Sequence, residues 1–366
     1  MYSKQSINII ELCFTMMLFL LGSAIILGVG IEAKKYAWVA ILLTGVIAIV
    51  LFQMYVYIWE KNNYQSLTRI LKVQFGTHFG NMLAILYVIY FSLIASRVLI
   101  DFIQFINNSL LHNMHPFFIK FSMLFLLLYT ILKGLDSFIQ SAIILGGLTV
   151  IFIMVMFMFM SMSGLFHLDY IQPFFPIQFN QITKTIMPTL ITFPFGELVA
   201  FLTLFPFLKE KTSLFKGGSI VILICTLILS LSSFLTVCVL HPELARFYVF
   251  PLVEAIERVH VLNYIQRLDI IAVFIFIIGG FFKIAVFTFA SIYVAKDCLP
   301  RVKPLYIISI IFVLIFLGSN LDTNNPSQHI KVGLEVIPVF IHIPFQIILP
   351  LCILVITHIR LKFSSL

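Results

Sequence analysis

The chain has 366 residues, 61% of them hydrophobic and 10% charged, with a mean hydropathy of +1.11 and a formal net charge of +8. Soluble domains run nearer about 45–50% apolar and about 25% charged, so this composition excludes a soluble domain and describes a membrane protein. Its Lys and Arg residues are scattered through short loops rather than gathered in one patch, which excludes a nucleic-acid-binding surface and leaves membrane orientation as the role of the positive charge.

Apolar runs long enough to cross a hydrocarbon core of about 30 Å predict about ten spans, at 8–30, 37–59, 79–111, 117–133, 138–163, 185–208, 217–240, 268–296, 304–320 and 334–358. Helices are expected throughout, because an open-ended segment in lipid must satisfy its own backbone. The first run lacks a small-residue cleavage site and reads as a retained span. An even number of spans puts both termini on one side. Thirteen of the 23 Lys and Arg residues fall on that side, which makes it cytoplasmic. The five cysteines lie singly in or beside spans and read as small buried apolar residues, with no metal or cofactor expected.

Span one contains LGSAIILGVG (21–30), whose small residues Gly22, Ser23 and Ala24 and later Gly28 and Gly30 predict an interruption; Glu11 lies near its cytoplasmic end. After span two, YQSLTRILKVQFG (64–76) spaces Leu67, Ile70, Leu71 and Phe75 as one face of a surface helix. Span three carries SRVLID, in which Arg97 and Asp101 are four apart and share a helix face, as an ion pair or a proton relay. His112 and His115 stand at a membrane edge with no third ligand nearby, and the run IMVMFMFMSM (153–162) suits lipid-facing or bundle packing.

Span six holds TFPFGE (192–197). Pro194 cannot donate its amide, Gly196 allows unusual dihedrals, and Glu197 lies about twelve residues, some 18 Å, from either end of the span. A charge at that depth costs several kcal/mol and calls for a partner, a wet cavity or a proton. Lys283, in GGFFKIAVF of span eight, matches it in depth, and Gly279 and Gly280 one turn earlier allow another helix to approach closely. Between spans seven and eight, FPLVEAIERVHVL (250–262) repeats the surface-helix pattern with Leu252, Ile256 and Val259. The two surface helices fall at the same place in two halves, about 8–163 and 185–358, but on opposite faces. That is the layout of an all-α, five-plus-five inverted repeat in a single integral membrane domain, with helices one and six interrupted at mid-membrane.

The ten-span layout, NIIELCFTMMLFLLGSAIILGVG in span one, FPFGELVAFLTLFPFLKEKT in span six and FPLVEAIERVHVLNYIQRLD at 250–269 resemble the GerAB-type B subunits of bacterial spore nutrient-germinant receptors, within the amino acid, polyamine and organocation transporter superfamily. The resemblance implies an amino acid permease-like fold in the inner membrane of a dormant spore, assembled with an A subunit and a lipoprotein C subunit. It also implies a small nutrient, typically an amino acid, held between spans one, three, six and eight. Matching positions are Gly22, Ser23 and Ala24 in span one and Phe195, Gly196 and Glu197 in span six, with Lys283 added by its depth; span one lacks the proline that often follows this break in the family. No phosphate loop, metalloprotease or nucleophile-elbow motif appears, so no enzyme is expected. The reading is a nutrient-sensing receptor subunit. The alternatives are a proton-coupled amino acid permease and a scaffold or pore subunit with no ligand of its own.

Overall fold

The computed structural model describes residues 7–111, 114–259, 269–321 and 326–364, and apart from one isolated bridge between Ile7 and Leu208 its regular elements are helical. In chain order they are α1 (Ile9–Ile26), α2 (Ala37–Lys61), α3 (Leu67–Phe75), α4 (Thr77–Ser109), α5 (Pro116–Lys133), α6 (Leu135–Met162), α7 (Phe179–Thr185), α8 (Leu214–Leu240), α9 (Pro242–Ala245), α10 (Pro251–Glu257), α11 (Asp269–Cys298), α12 (Pro304–Gly318), α13 (Pro326–Lys331) and α14 (Leu349–Ser364). Tighter turns at Ile31–Tyr36, Leu168–Ile171, Gly196–Thr203, Phe205–Phe207 and Lys211–Ser213, and wider ones at Ile186–Phe195, Val332–Val336 and Pro338–Ile348, complete the helical content of the described residues. Among the described residues nine helical runs are long and apolar enough to cross a membrane, and the fifteen-residue α12 occupies the position of the ninth predicted span. The chain is an all-α, multi-pass membrane protein.

Much of its outside is apolar. Ile144, Phe340 and Phe125 are 76%, 74% and 67% exposed, a surface that water would not tolerate over such an area and that lipid covers. The methionine run on α6 divides accordingly: Met156 and Met160 are buried while Met154, Met158 and Met162 are exposed. The cysteines do not all follow expectation. Cys225 and Cys238 are buried, Cys13 and Cys298 are half-buried, and Cys352 is exposed on the flank of α14, where a thiol suits lipid as well as it suits a core.

Glycines set the closest helix crossings. A Cβ on Gly22 of α1 would stand 2.6 Å from the carbonyl carbon of Gly279 in α11, and one on Gly279 would stand 2.2 Å from Gly22 Cα. A second crossing, α2 on α8, depends on Gly45, whose Cβ would meet Thr226 at 2.3 Å. Small residues let backbones approach where lipid gives no hydrophobic drive to associate.

That packing corrects the expectation for span one. Gly22, Ser23 and Ala24 are helical and α1 runs unbroken to Ile26. With no proline there and Gly22 clamped on Gly279, nothing unwinds the helix. The interruption sits later, at 27–30, where Gly28 and Gly30 take φ of +62° and +84°, a region glycine enters without penalty.

Span six is interrupted as expected, and twice. Met187 (φ −116°, ψ 122°) and Phe193 (φ −125°, ψ 118°) are extended within the helical run, and each precedes a proline, whose ring disfavours the helical conformation in the residue before it. The two surface helices form with their predicted faces inward: Leu67, Ile70 and Leu71 of α3, and Leu252 and Ile256 of α10, are buried, as is Val259 beyond it. Residues 260–268 of the second segment and His112 lie outside the described residues; His115 caps α5 by accepting from the Phe117 amide at 3.2 Å. Glu11 accepts from the Asn8 amide at 2.9 Å in a capping box that starts α1.

The bundle has two differently fastened ends. At the end where α1 begins and α14 stops, Gln74 donates to Asn62 at 2.5 Å, Asn62 to Thr357 at 3.1 Å and Lys72 to the Asp297 carbonyl at 3.1 Å, joining α2, α3, α11 and α14. At the far end Lys34 pairs with Glu243 at 2.6 Å and Arg246 with Glu32 at 2.9 Å. The Lys34 ammonium, hydrogen-bonded to Glu243, holds that exposed carboxyl below the usual glutamate range.

Candidate ligand chamber at mid-membrane

The extended residue at Phe193 turns span six sharply just before Glu197. The carboxylate of Glu197 lies 2.6 Å from Lys283 Nζ, and the two side chains are 2% and 0% exposed. Lys283 also donates to Ser23 Oγ at 3.4 Å and lies 4.1 Å from the centre of the Phe193 ring and 5.5 Å from that of Phe19. One ammonium thus joins α1, span six and α11, and negative ring faces take up the sides that the carboxylate does not reach. Burial makes such a pair conditional on both partners, since either charge left alone keeps its full desolvation cost.

Next to the pair is a polar cluster on span ten that the sequence reading did not single out. His342 Nδ1 lies 3.0 Å from the Tyr90 hydroxyl and 3.1 Å from Gln346 Nε2, which donates to Tyr90 at 2.9 Å. Tyr55 donates to the Gln346 carbonyl at 2.7 Å, and Tyr87 to that of Phe345 at 2.8 Å. These two carbonyls fall four and five residues before Pro350, which has no amide hydrogen to return to them, so tyrosines from neighbouring helices supply the missing donors. His342 and Gln346, polar and one turn apart in an apolar run, were the signal.

Gly196 exists to admit that cluster. A Cβ there would meet Gln346 Oε1 at 2.2 Å and the Ile191 carbonyl at 2.9 Å. Gly196→Ala is expected to push Gln346 off Tyr90 and cost about 1–3 kcal/mol by overpacking, whereas adding Gln346→Ala should return part of the loss. A double-mutant cycle on thermal stability checks this, and additive single effects would refute it.

On the far-end side of the pair lies a chamber of about 50 Å³, lined by Glu197 and Phe193, by Arg97 and Asp101 of α4, by His342 and by apolar residues including Leu27 and Leu334. Room for a few waters is all it offers, well below the roughly 300–1,000 Å³ of small-molecule pockets. Beyond it a vestibule of about 640 Å³ opens between 27–32, 181–189, 246–249 and 330–339. Of the residues expected at a ligand site, Glu197 lines the chamber, and beside it are Arg97 and Asp101, which were expected as an ion pair or proton relay. Lys283 and Ser23 stand behind Glu197, and Gly22, Ala24, Phe195 and Gly196 are packed into the surrounding wall. Arg97 and Asp101 both reach a residue absent from the sequence reading. Arg97 donates to the His329 carbonyl at 2.8 Å, and His329 Nε2 lies 3.0 Å from Asp101 Oδ1.

Comparison with known proteins gives a consistent picture. A family model described as spore germination protein matches residues 6–327. Spore germination protein KB of Bacillus subtilis (strain 168) is 27% identical over 353 residues, 96% of this chain and 95% of that protein. Spore germination protein B2 of the same organism is 24% identical over 273 residues, 71% of this chain and 72% of its own length.

Proposed function

The chain belongs to the spore germination protein family, and from that premise we propose that it is the nutrient-sensing membrane subunit of a germinant receptor. In this reading a small zwitterionic nutrient of the amino acid class enters from the vestibule and settles in an enlarged chamber, its carboxylate on Arg97 and its ammonium between Asp101 and Glu197. The observation that carries it is a chamber lined by one cation and two carboxylates, at membrane depth, beneath a vestibule of ligand size. Charged groups kept at that depth mark substrate or ion pathways. Gly22, Ser23, Ala24, Phe195, Gly196 and Lys283 act behind the first layer by fixing Glu197. The ligand shifts the bundle between states by its differential affinity for them. An A subunit and a lipoprotein C subunit receive the signal in the spore inner membrane, with both termini cytoplasmic. Residues 8–163 and 185–358 form an inverted pair, a reading supported by α3 bonding to Asn62 and Asp297 at one end of the bundle while α10 packs through Pro251 on Gly28 at the other.

A proton-coupled permease is the second reading, favoured by the buried His342–Tyr90–Gln346 cluster beside the chamber. One preparation separates the two. An amino acid panel on the purified protein should contain a ligand that raises the melting temperature, by what about 2.7 kcal/mol gives at a hundred times Kd, and Arg97→Leu should abolish the rise. Proteoliposomes should bind that ligand without accumulating it. Accumulation would establish the permease, and silence across the panel would remove the sensor.

A further inference from the structure

The vestibule and the chamber share three lining residues, Leu27, Ile330 and Leu334. Leu27 directly follows the last helical residue of α1 and precedes the left-handed Gly28. Ile330 and Leu334 are four apart, in α13 and the wide turn Val332–Val336 that continues it, and so project from one face. Among the described residues, these three apolar side chains border both hollows and stand between them.

This wall is fastened from one side by polar contacts. Its residue His329, 1% exposed, bonds Asp101 through its ring and Arg97 through its carbonyl. Gly333 lies under the Arg97 guanidinium, where a Cβ would stand 2.9 Å from Nη2. From the other side Thr189, in the interrupted stretch of span six, donates to the Leu334 carbonyl at 3.0 Å.

We infer that residues 329–334 form a gate over the chamber, with Leu27, Ile330 and Leu334 as its plug and the Asp101–His329–Arg97 contacts as its latch. The latch uses the same guanidinium and carboxylate that line the chamber. A ligand carrying an ammonium and a carboxylate therefore competes with His329 for both, and occupancy and opening become one event. That last step rests on the nutrient reading; the gate does not.

Thiol reactivity in lipid nanodiscs tests the gate with no nutrient present. With Cys13, Cys225, Cys238, Cys298 and Cys352 replaced by alanine, a single cysteine is placed in the chamber wall by Val98→Cys or in the vestibule by Lys184→Cys. Each is treated with a charged, membrane-impermeant thiol reagent. The Lys184→Cys protein should react fast and the Val98→Cys protein at least about a hundredfold more slowly. His329→Asn, and independently Gly333→Val, which displaces Arg97 without altering His329, should each raise the Val98→Cys rate about tenfold or more. A protein retaining only the buried Cys225 must stay unreactive under both changes, which separates gate opening from unfolding. Equal rates at the two positions in the latched protein, or a Val98→Cys rate that neither change moves, would overturn the gate. Absence of ligand binding in the melting assay, with these rates as stated, would overturn the nutrient reading alone.

Discussion

Lys283→Met is expected to destabilise the purified protein by roughly 3–5 kcal/mol, a fall in melting temperature on the order of 10 °C, while adding Glu197→Gln should recover most of it. Lys283 Nζ lies 2.6 Å from Glu197 with both side chains shielded from solvent. Removing the ammonium leaves a carboxylate with its desolvation cost and without the charge that offset it. Removing both charges deletes cost and gain together, which leaves the neutral pair closer to the parent than either single variant. The reversed pair, Glu197→Lys with Lys283→Glu, should recover less than the neutral one. The ring faces of Phe193 and Phe19 at 4.1 and 5.5 Å favour a cation at the Lys283 end, and a carboxylate placed there meets their negative quadrupoles. Melting curves of the parent, the two single variants and the two double variants measure all of this in one detergent. If Lys283→Met melts within about 1 °C of the parent, the pair does not hold the centre of the bundle.

Depth could be read from the sequence where facing could not. Hydropathy located the spans to within about six residues of their helices, span six being found at Phe179–Thr203, because the length of an apolar run is fixed by the bilayer it crosses. Glu197 and Lys283 could be matched because both sit near the middle of their runs, and the Phe-Pro step announced the break beside Glu197 through a local steric rule. The Met187-Pro188 step carries the same signal. Span one misled because its glycines serve two purposes that composition does not separate: Gly22 is a helical contact surface, and Gly28 and Gly30 are the turn. His329, His342 and Gln346 were missed for a third reason. Their roles depend on which way each turn of span ten and of α13 faces, and the wide winding of Pro338–Ile348 shifts that facing away from the regular helical period.

Gly22→Ala should be among the most damaging single methyls in the bundle, with Gly279→Ala on the other side of the same crossing. Its Cβ would stand 2.6 and 2.7 Å from the carbonyl carbon and oxygen of Gly279, and backbone atoms cannot rotate aside as a side chain can. The two helices must part instead, and the injury spreads from the crossing to the ion pair. Ser23 follows Gly22 directly, and Lys283 comes one turn after Gly279 on the same face. Any separation therefore stretches the 3.4 Å contact between Ser23 and Lys283 and draws the ammonium away from Glu197. Overpacking alone costs about 1–3 kcal/mol, and the strained pair adds to it, so Gly22→Ala should melt at least as low as Lys283→Met and Gly22→Val should fail to accumulate as a monodisperse protein. Gly147 of α6 supplies the control, because a Cβ there meets nothing within 4 Å and alanine in a helix interior is favoured over glycine by roughly 0.5–1 kcal/mol. Equal melting temperatures for the Gly22→Ala and Gly147→Ala proteins would show that α1 and α11 do not cross at van der Waals contact, and the position of Lys283 would then need another cause.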